Sequence, residues 1–212
     1  YYAGRRASFY NNCYLLRGEE DSREEWGNLV KRASDCLMSG GGIGVDYSVF
    51  RPSGATLGRT GGKASGPIPL MHSINEIGRN VMQGGSRRSA IYASLNWQHG
   101  DARSFLTMKN WDDMKVGPDW TIAQTKEFDF NAYAPLDMTN VSLNYDNAFL
   151  DRIQNGQLPP IFIDNVRQAL RTGEPGFSFN FGDKEEETLR NACTEVTSAD
   201  DSDVCNLGSI NM

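Results

Sequence analysis

The sequence predicts an α/β domain. Segments with the 3.6-residue apolar period of helices alternate with short runs of aliphatic and aromatic residues that are typical of strands. The opening order is strand, helix, strand, which favours a right-handed parallel unit. Because the alternation continues without an internal repeat or a linker, we expect residues 1–212 to form a single domain.

The first half of the chain predicts three strands separated by two helices. The first helix can be capped by Asp21 or Ser22, and glycines 40–42 end it. A glycine-rich loop over Arg51–Gly66 precedes the second helix. The predicted elements are a strand over Ala7–Leu16, a helix over Asp21–Met38, a strand over Ile43–Val49, a helix over Ile68–Met82 and a strand over Ala90–Leu95.

The second half predicts three helices and two strands before an acidic loop over Gly182–Glu187. The last of these helices is expected to end at Gly173. The predicted elements are a helix over Asp101–Lys109, a strand near Asp137–Leu143, a helix over Asn147–Asn155, a helix over Pro159–Thr172 and a short strand over Phe177–Asn180.

Composition and charge argue against several classes of function. The net charge of −6 disfavours a general nucleic-acid-binding surface, so no DNA binding is expected. No apolar run approaches about 18 residues, and no secretion signal opens the chain, so we expect no membrane span and a cytoplasmic location. The four cysteines lack CxxC spacing and only two histidines are present, so no metal site is expected. Since the chain starts at Tyr1 without an initiator Met and stops at Met212 inside an apparent strand, we expect it to be truncated at both ends.

The strongest chemical signal is the stretch from Asn191 to Glu195, with Cys193 at its centre and Cys205 after an acidic loop. In an extended chain, residues i, i+2 and i+4 point to one side, so Asn191, Cys193 and Glu195 are expected to face one small substrate. This would place a thiol between an amide and a potential base. Any single cysteine is more often a core residue than a catalyst, and the amide and carboxylate alone could be ordinary turn or surface groups.

Several motifs, in order along the chain, resemble those of the catalytic chain of ribonucleotide reductases. They are Gly-Gly-Ile-Gly-Val-Asp-Tyr-Ser at 41–48, Gln-Gly-Gly-Ser-Arg-Arg-Ser-Ala at 83–90, Gly-Glu-Pro-Gly at 173–176, Asn-Ala-Cys-Thr-Glu-Val at 191–196 and Cys-Asn-Leu-Gly-Ser-Ile-Asn at 205–211. The second of these resembles the substrate-specificity loop of that family. With Cys13, the matches cover nearly the whole chain. The resemblance implies a ten-stranded α/β barrel, of which this chain would hold the first half and the finger loop.

The resemblance also implies a role for each residue of the catalytic site. Cys193 would form a thiyl radical that abstracts the 3′-hydrogen of a ribonucleotide. Glu195 would take the 3′-hydroxyl proton, and Asn191 would hold the intermediate by hydrogen bonds. Cys13 and Cys205 would reduce the 2′ carbon and end as a disulfide, which requires their Cα atoms to come within about 5.5 Å.

Two further groups of residues would bind nucleotides. Glycine amides and guanidinium groups suit phosphate or base contacts, and Arg87 would lie between the substrate base and an effector. The plain alternatives are a solvated arginine pair at 87–88, a mobile surface loop around Arg59 and Lys63, and simple turns at the glycines. The implied residues are Asn12, Gly42, Gly44, Ser86 and Arg87 for the substrate, and Arg59 and Lys63 for the effector.

The source of the radical divides this family into classes. The double arginine and the motif that begins at Cys205 resemble the adenosylcobalamin-dependent class more than the class with an iron-containing second subunit. The implied partners are a ribonucleoside di- or triphosphate, a nucleotide effector and a thioredoxin-type reductant, with a homodimer as one option. Two other functions stay open: a non-catalytic nucleotide-binding module, and a thiol oxidoreductase that acts on proteins through Cys13 and Cys205.

Overall fold

The computed structural model of the chain describes residues 11–58, 60–81, 89–206, 208 and 210. Arg59, Ser86, Arg87 and the first four residues of the strand predicted over Ala7–Leu16 lie outside this range. The strands are β1 (Cys13–Arg17), β2 (Gly42–Asp46), β3 (Ile91–Asn96), β4 (Thr139–Tyr145), β5 (Gly176–Phe179), β6 (Leu189–Arg190), β7 (Thr197–Ser198) and β8 (Val204–Cys205). The helices are α1 (Arg23–Met38), α2 (Ile68–Asn80), α3 (Ala102–Thr107), α4 (Ile122–Phe128), α5 (Asn147–Gln154) and α6 (Pro160–Thr172), with a 3₁₀ turn at Gly182–Lys184.

Strands β1 to β5 form a parallel sheet in sequence order, and β8 extends it with an antiparallel strand beside β1. Strands β6 and β7 pair separately. Each connection within the parallel sheet contains at least one helix, so the predicted α/β class is confirmed. The sheet formed by the described residues has six strands, and the ten strands of the predicted barrel stay a prediction.

One face of the sheet is apolar and packs against the helices. Its side chains alternate along the strands with those of the other face, as the two-residue period of a strand requires. Together with the buried sides of α1 and α2 they form the main hydrophobic core. The strand residues of this face include Ile43, Val45, Ile91, Ala93, Leu95, Val141, Leu143 and Tyr145.

The opposite face of the sheet is largely polar, although much of it is buried. Positions that lie side by side across the strands join Asp46, Ser94 and Ser142 in one row, and Asn96, Asn144 and Ser178 in the next. The Asn144 amide donates to Ser94 Oγ (3.1 Å). Buried polar groups need such partners, so we expect the other polar side chains of this face to form hydrogen bonds as well.

The ends of most elements lie close to their predicted positions. Ser22 caps α1 by accepting a hydrogen bond from the Glu25 N–H (3.0 Å), and Gly173 ends α6 in the left-handed conformation (φ 82°). The prediction missed α4, although Thr121 and Gln124 form a capping box at its start. The helices formed by the described residues are all too short or too polar to span a bilayer.

Candidate active site at the Cys13–Cys205 strand pair

The two cysteines predicted to form the redox pair lie directly opposite each other. Strands β1 and β8 are antiparallel, and their register pairs Cys13 with Cys205. Opposed residues in antiparallel strands have Cα atoms about 4.5–5.5 Å apart. This separation falls within the range of about 4.4–6.8 Å found in disulfides. Both residues are thiols in the structure, and the register of the two strands places them side by side although they lie near opposite ends of the chain.

The thiol pair lies in a small apolar cluster. Cys13 is 4% exposed and Cys205 is 8% exposed, and both pack with Ala192, Ala90 and Val196. Burial raises the pKa of the Cys205 thiol, and the neighbouring Cys13, Glu195 and Cys193 raise it further. The last effect is electrostatic, because negative charge on a neighbour disfavours the thiolate. Cys193 and Glu195 therefore lie close enough to Cys205 to influence its ionisation.

Cys193 lies in a tight turn between β6 and β7, which we call the finger turn (Leu189–Ser198). The Thr194 N–H donates to the Asn191 carbonyl oxygen (3.0 Å), and Thr194 has a left-handed φ of 72°. The extended arrangement predicted for residues 191–195 is therefore wrong. Asn191 is fully buried, whereas Cys193 and Glu195 are exposed, so these three side chains do not share one side of a strand.

The side chain of Asn191 explains why the chain turns here. Its Oδ1 accepts a hydrogen bond from the Val196 N–H (3.1 Å), which gives the backbone an alternative to the ladder of a strand. The Nδ2 of the same amide is buried and has no hydrogen-bond partner among the described residues. An unpaired buried donor costs about 1–3 kcal/mol. The turn therefore leaves one buried amide donor without an acceptor among the described residues.

Two glycines of β2 allow the finger turn to approach the sheet. A Cβ on Gly44 would lie 1.7 Å from the Arg190 carbonyl oxygen and 3.3 Å from the carbonyl carbon of Asn191. A Cβ on Gly42 would lie 3.0 Å from Ala192 Cβ and 3.4 Å from Cys13 Sγ. The space beside Gly44 is thus filled by the backbone of the finger turn, and the space beside Gly42 by the side chains of Ala192 and Cys13.

Arg190 anchors the finger turn to β5 and the segment after it. Its Nε donates to Ser178 Oγ (2.5 Å), and its Nη2 donates to Asn180 Oδ1 (2.9 Å). Sequence reasoning missed all three residues. The signal that could have found them is the alternation of polar residues along the strands. Polar residues at every second position indicate a sheet face whose side chains form hydrogen bonds.

Asp46, at the end of β2, is a second polar group that sequence reasoning missed. Its carboxylate accepts hydrogen bonds from Ser48 Oγ (2.5 Å) and from the Ser48 N–H (3.0 Å). Burial raises its pKa, while hydrogen bonds from Ser48 and Thr188 lower it in part. Since Thr188 directly precedes β6, Asp46 meets the base of the finger turn from the sheet.

The remaining predicted site residues that the structure describes lie in two places, at the thiol pair and in the loop between β2 and α2. Asn12 lies at the thiol pair, because its N–H donates to the Cys205 carbonyl oxygen (3.0 Å) and its carbonyl oxygen accepts from the Gly42 N–H (2.8 Å). Lys63 lies in the loop between β2 and α2 and donates to Thr56 Oγ1 (3.1 Å). Across the described residues, no group of three or more His, Cys, Asp or Glu side chains could hold a metal ion.

Comparisons with known proteins agree on one family. Residues 11–162 match the model of the ribonucleotide reductase barrel domain. The chain is 30% identical over 223 aligned residues to the vitamin B12-dependent ribonucleoside-diphosphate reductase of Thermoplasma acidophilum, covering 99% of the chain and 28% of that protein. It is 26% identical to the ribonucleoside-diphosphate reductase subunit alpha of Chlamydia muridarum, covering 99% of the chain and 24% of that protein. The chain thus spans about a quarter of the length of these curated relatives.

A solved structure shows the same fold. The class Id ribonucleotide reductase alpha subunit of Actinobacillus ureae superposes with a TM-score of 0.59 over 84% of this chain and 28% of that one, at 14% identity. The family match includes Cys13 and both glycines of β2 but ends at residue 162, before the finger turn. Functional roles for Asn191, Cys193 and Cys205 therefore depend on the geometry of the site.

Proposed function

The chain belongs to the barrel-domain family of ribonucleotide reductases, and from that premise we propose that it carries the thiol site for reduction of ribonucleoside di- or triphosphates to 2′-deoxyribonucleotides. The product serves DNA synthesis. The observation that carries the proposal is the register of β1 and β8, which sets Cys13 against Cys205 with the finger turn beside them. Nothing in the apolar packing of a sheet edge calls for two opposed thiols next to an unpaired buried amide.

The proposed chemistry balances with the groups at hand. Replacing the 2′-hydroxyl by hydrogen consumes two electrons, and Cys13 and Cys205 release two as they become a disulfide. The 2′-hydroxyl takes a proton from one thiol and leaves as water, and the hydrogen of the other thiol goes to the 2′ carbon. Cys193 removes the 3′-hydrogen as a thiyl radical and returns it at the end, so it is unchanged over one cycle.

The finger turn assigns the other roles. Glu195, exposed beside Cys193, takes the 3′-hydroxyl proton as general base, a task that needs hydrogen-bond reach to the sugar. Asn191 uses its unpaired Nδ2 to donate to an oxygen of the sugar, while its Oδ1 keeps the turn closed. The raised pKa of Cys205 keeps this thiol protonated at neutral pH, as a hydrogen donor must be.

The nucleotide-binding residues are proposed from the same premise. Asn12 and Gly42 border the thiol pair, beside which a ribose must lie for the chemistry to occur, and Gly44 is assigned to the substrate through the finger turn that packs on it. Lys63 is assigned to the phosphates of an effector. Ser86, Arg87 and Arg59 complete the proposed substrate and effector contacts. A thioredoxin-type dithiol returns the Cys13–Cys205 disulfide to the reduced state after each turnover.

We assign the chain to the adenosylcobalamin-dependent class, which agrees with the name of the Thermoplasma relative. When it is bound, adenosylcobalamin supplies a carbon-centred radical. The described residues fit such a source because Cys193 is exposed at the tip of its turn and can be reached from outside the sheet. The alternative is radical supply by a metal-containing second subunit, the assembly that the name "subunit alpha" of the Chlamydia relative suggests.

The test is reduction of ribonucleoside diphosphates and triphosphates by the full-length protein, with dithiothreitol, with and without adenosylcobalamin. Product that depends on adenosylcobalamin supports the assigned class, and product that depends on a metal subunit supports the alternative. Cys193→Ser should abolish the product under either condition, while Cys36→Ser in α1 is the matched control and should retain it. Deoxynucleotide formation by Cys193→Ser would overturn the proposed function.

A further inference from the structure

Strand β8 is too short to fix its own position. It has two residues, Val204 and Cys205, and it lies at the edge of the sheet. Sliding a strand by one residue moves every side chain to the opposite face, and a strand of two residues has few ladder hydrogen bonds with which to resist such a slip. If β8 slipped by one position, Cys205 would face away from Cys13. The register of the thiol pair therefore depends on contacts outside β8, among them the hydrogen bond from the Asn12 N–H to the Cys205 carbonyl oxygen.

The segment just before β8 continues the contact with β1 in an unusual way. The Leu15 N–H donates to the Asp203 carbonyl oxygen (2.9 Å), and the Leu15 carbonyl oxygen accepts from the Ser202 N–H (2.8 Å). Two residues further along β1, the Arg17 N–H donates to Asp201 Oδ1 (2.8 Å). A side-chain carboxylate thus occupies the place that a backbone carbonyl would take in a longer strand.

The same carboxylate is tied to helix α1. The Arg32 guanidinium donates through Nη1 to Asp201 Oδ2, and through Nη2 to the Arg17 carbonyl oxygen (2.7 Å) and to Glu25 Oε1 (2.8 Å). The side chain of Asp201 is 16% exposed, so these charge-assisted bonds are partly shielded from water. One carboxylate therefore joins the end of β1, the middle of α1 and the segment that leads to Cys205.

We propose that Asp201 is the positioning residue of the thiol pair: by binding both the Arg17 N–H and the Arg32 guanidinium, it fixes the register of β8 and holds Cys205 opposite Cys13. This inference builds on the proposed function, because it assumes that Cys13 and Cys205 act as a redox pair. Asp201 does not touch the reacting atoms, and it acts only through the position of β8.

The test measures disulfide formation in the 212-residue chain with Cys36→Ala and Cys193→Ser, so that only two thiols remain. One thiolate attacks glutathione disulfide and releases glutathione, and the second thiol then displaces the other glutathione. One glutathione disulfide is consumed and two glutathione thiols are formed for each protein disulfide. The equilibrium constant of this exchange reports how well the two thiols are held together.

Three variants in this background separate position from general stability. Asp201→Ala removes both contacts, and we expect the equilibrium constant to fall about tenfold, which corresponds to about 30 mV in the reduction potential. Asp201→Asn keeps an acceptor for the Arg17 N–H, so its equilibrium constant should fall less. Asp200→Asn is the matched control: it makes the same charge change on an exposed neighbour, whose side chain has no hydrogen bond among the described residues, and it should match the parent.

The urea midpoint of the dithiol form is measured in parallel. A residue that only stabilises the fold would lower this midpoint and leave the glutathione equilibrium in native buffer unchanged, and this result would overturn the inference. If Asp201→Ala does not fold, the glutathione equilibrium and the urea midpoint of Asp201→Asn are compared with those of Asp200→Asn, and the same outcomes support or overturn the inference. If the parent itself forms no disulfide, the proposed redox pairing is wrong; if it does and the Asp201 variants equal the control, only the positioning role is wrong.

Discussion

Replacing Gly44 by alanine should separate the finger turn from the sheet. The added Cβ would lie 1.7 Å from the carbonyl oxygen of Arg190 and 2.8 Å from its carbonyl carbon. Both obstacles are backbone atoms, which cannot rotate away as a long side chain can. Overpacking of a filled site costs about 1–3 kcal/mol of stability. Because the obstacle here is backbone, we expect Gly44→Ala to lower the free energy of unfolding by about 3 kcal/mol.

A loss of about 3 kcal/mol lowers the urea midpoint by about 1–1.5 M if the slope is about 2–3 kcal/mol/M. Amide hydrogen exchange shows whether the stability is lost at the finger turn, because the N–H groups of Thr194 and Val196 both donate to Asn191 in the closed turn. We expect both amides to lose protection in Gly44→Ala. Their protection should fall more than that of the core strands, because a local opening costs less than global unfolding.

Gly27→Ala is the matched control for this experiment. Gly27 lies within α1, and nothing stands within 4 Å of an added Cβ. Alanine in a helix interior is better than glycine by about 0.5–1 kcal/mol, so this variant should gain stability. If Gly44→Ala leaves both the urea midpoint and the two amides unchanged, the close packing of the finger turn on β2 is refuted.

Three further predictions concern the thiols and the buried amide. At pH 8, iodoacetamide should modify Cys193 readily and Cys36 hardly at all, as measured by peptide mass spectrometry, because Cys193 is exposed while burial and the neighbouring Asp35 raise the pKa of Cys36 to about 11. In reducing buffer the urea midpoint should fall as the pH rises above about 8.5, because the folded chain holds the Cys205 proton more tightly than the unfolded chain does; a decline of equal size in Cys205→Ala would contradict this. Asn191→Ala should speed hydrogen exchange at the Val196 N–H, which loses its acceptor, with little net change in the urea midpoint because the unpaired buried Nδ2 is removed as well, and unchanged protection of that N–H would argue against the role of this amide in the turn.

The helices and parallel strands could be predicted because their signals are local. Apolar spacing and a capping serine place α1 within two residues of its predicted start, and Gly173 marks the end of α6. Helix α4 was missed because seven residues give too little periodicity. Its capping box at Thr121 and Gln124 was the better signal, and it is equally local.

The candidate site could be predicted only in part. Motif resemblance identified Cys13, Cys193 and Cys205, but the turn at Asn191 depends on a side-chain hydrogen bond that competes with the extended chain. The alternation rule applies only within a strand, so it failed as soon as the strand ended at Arg190. The contacts of Arg190 and Asp201 join distant segments, and no local pattern specifies them.

Cys13 and Cys205 lie near the two ends of the described fold, and this has a consequence for the oxidised molecule. A disulfide between them would close a covalent ring around nearly every helix and strand. By the chain-entropy account, a ring of more than 100 residues removes about 5 kcal/mol of freedom from the unfolded chain. The oxidised chain would then resist proteases and heat better than the reduced chain, and reduction of the disulfide would remove this protection.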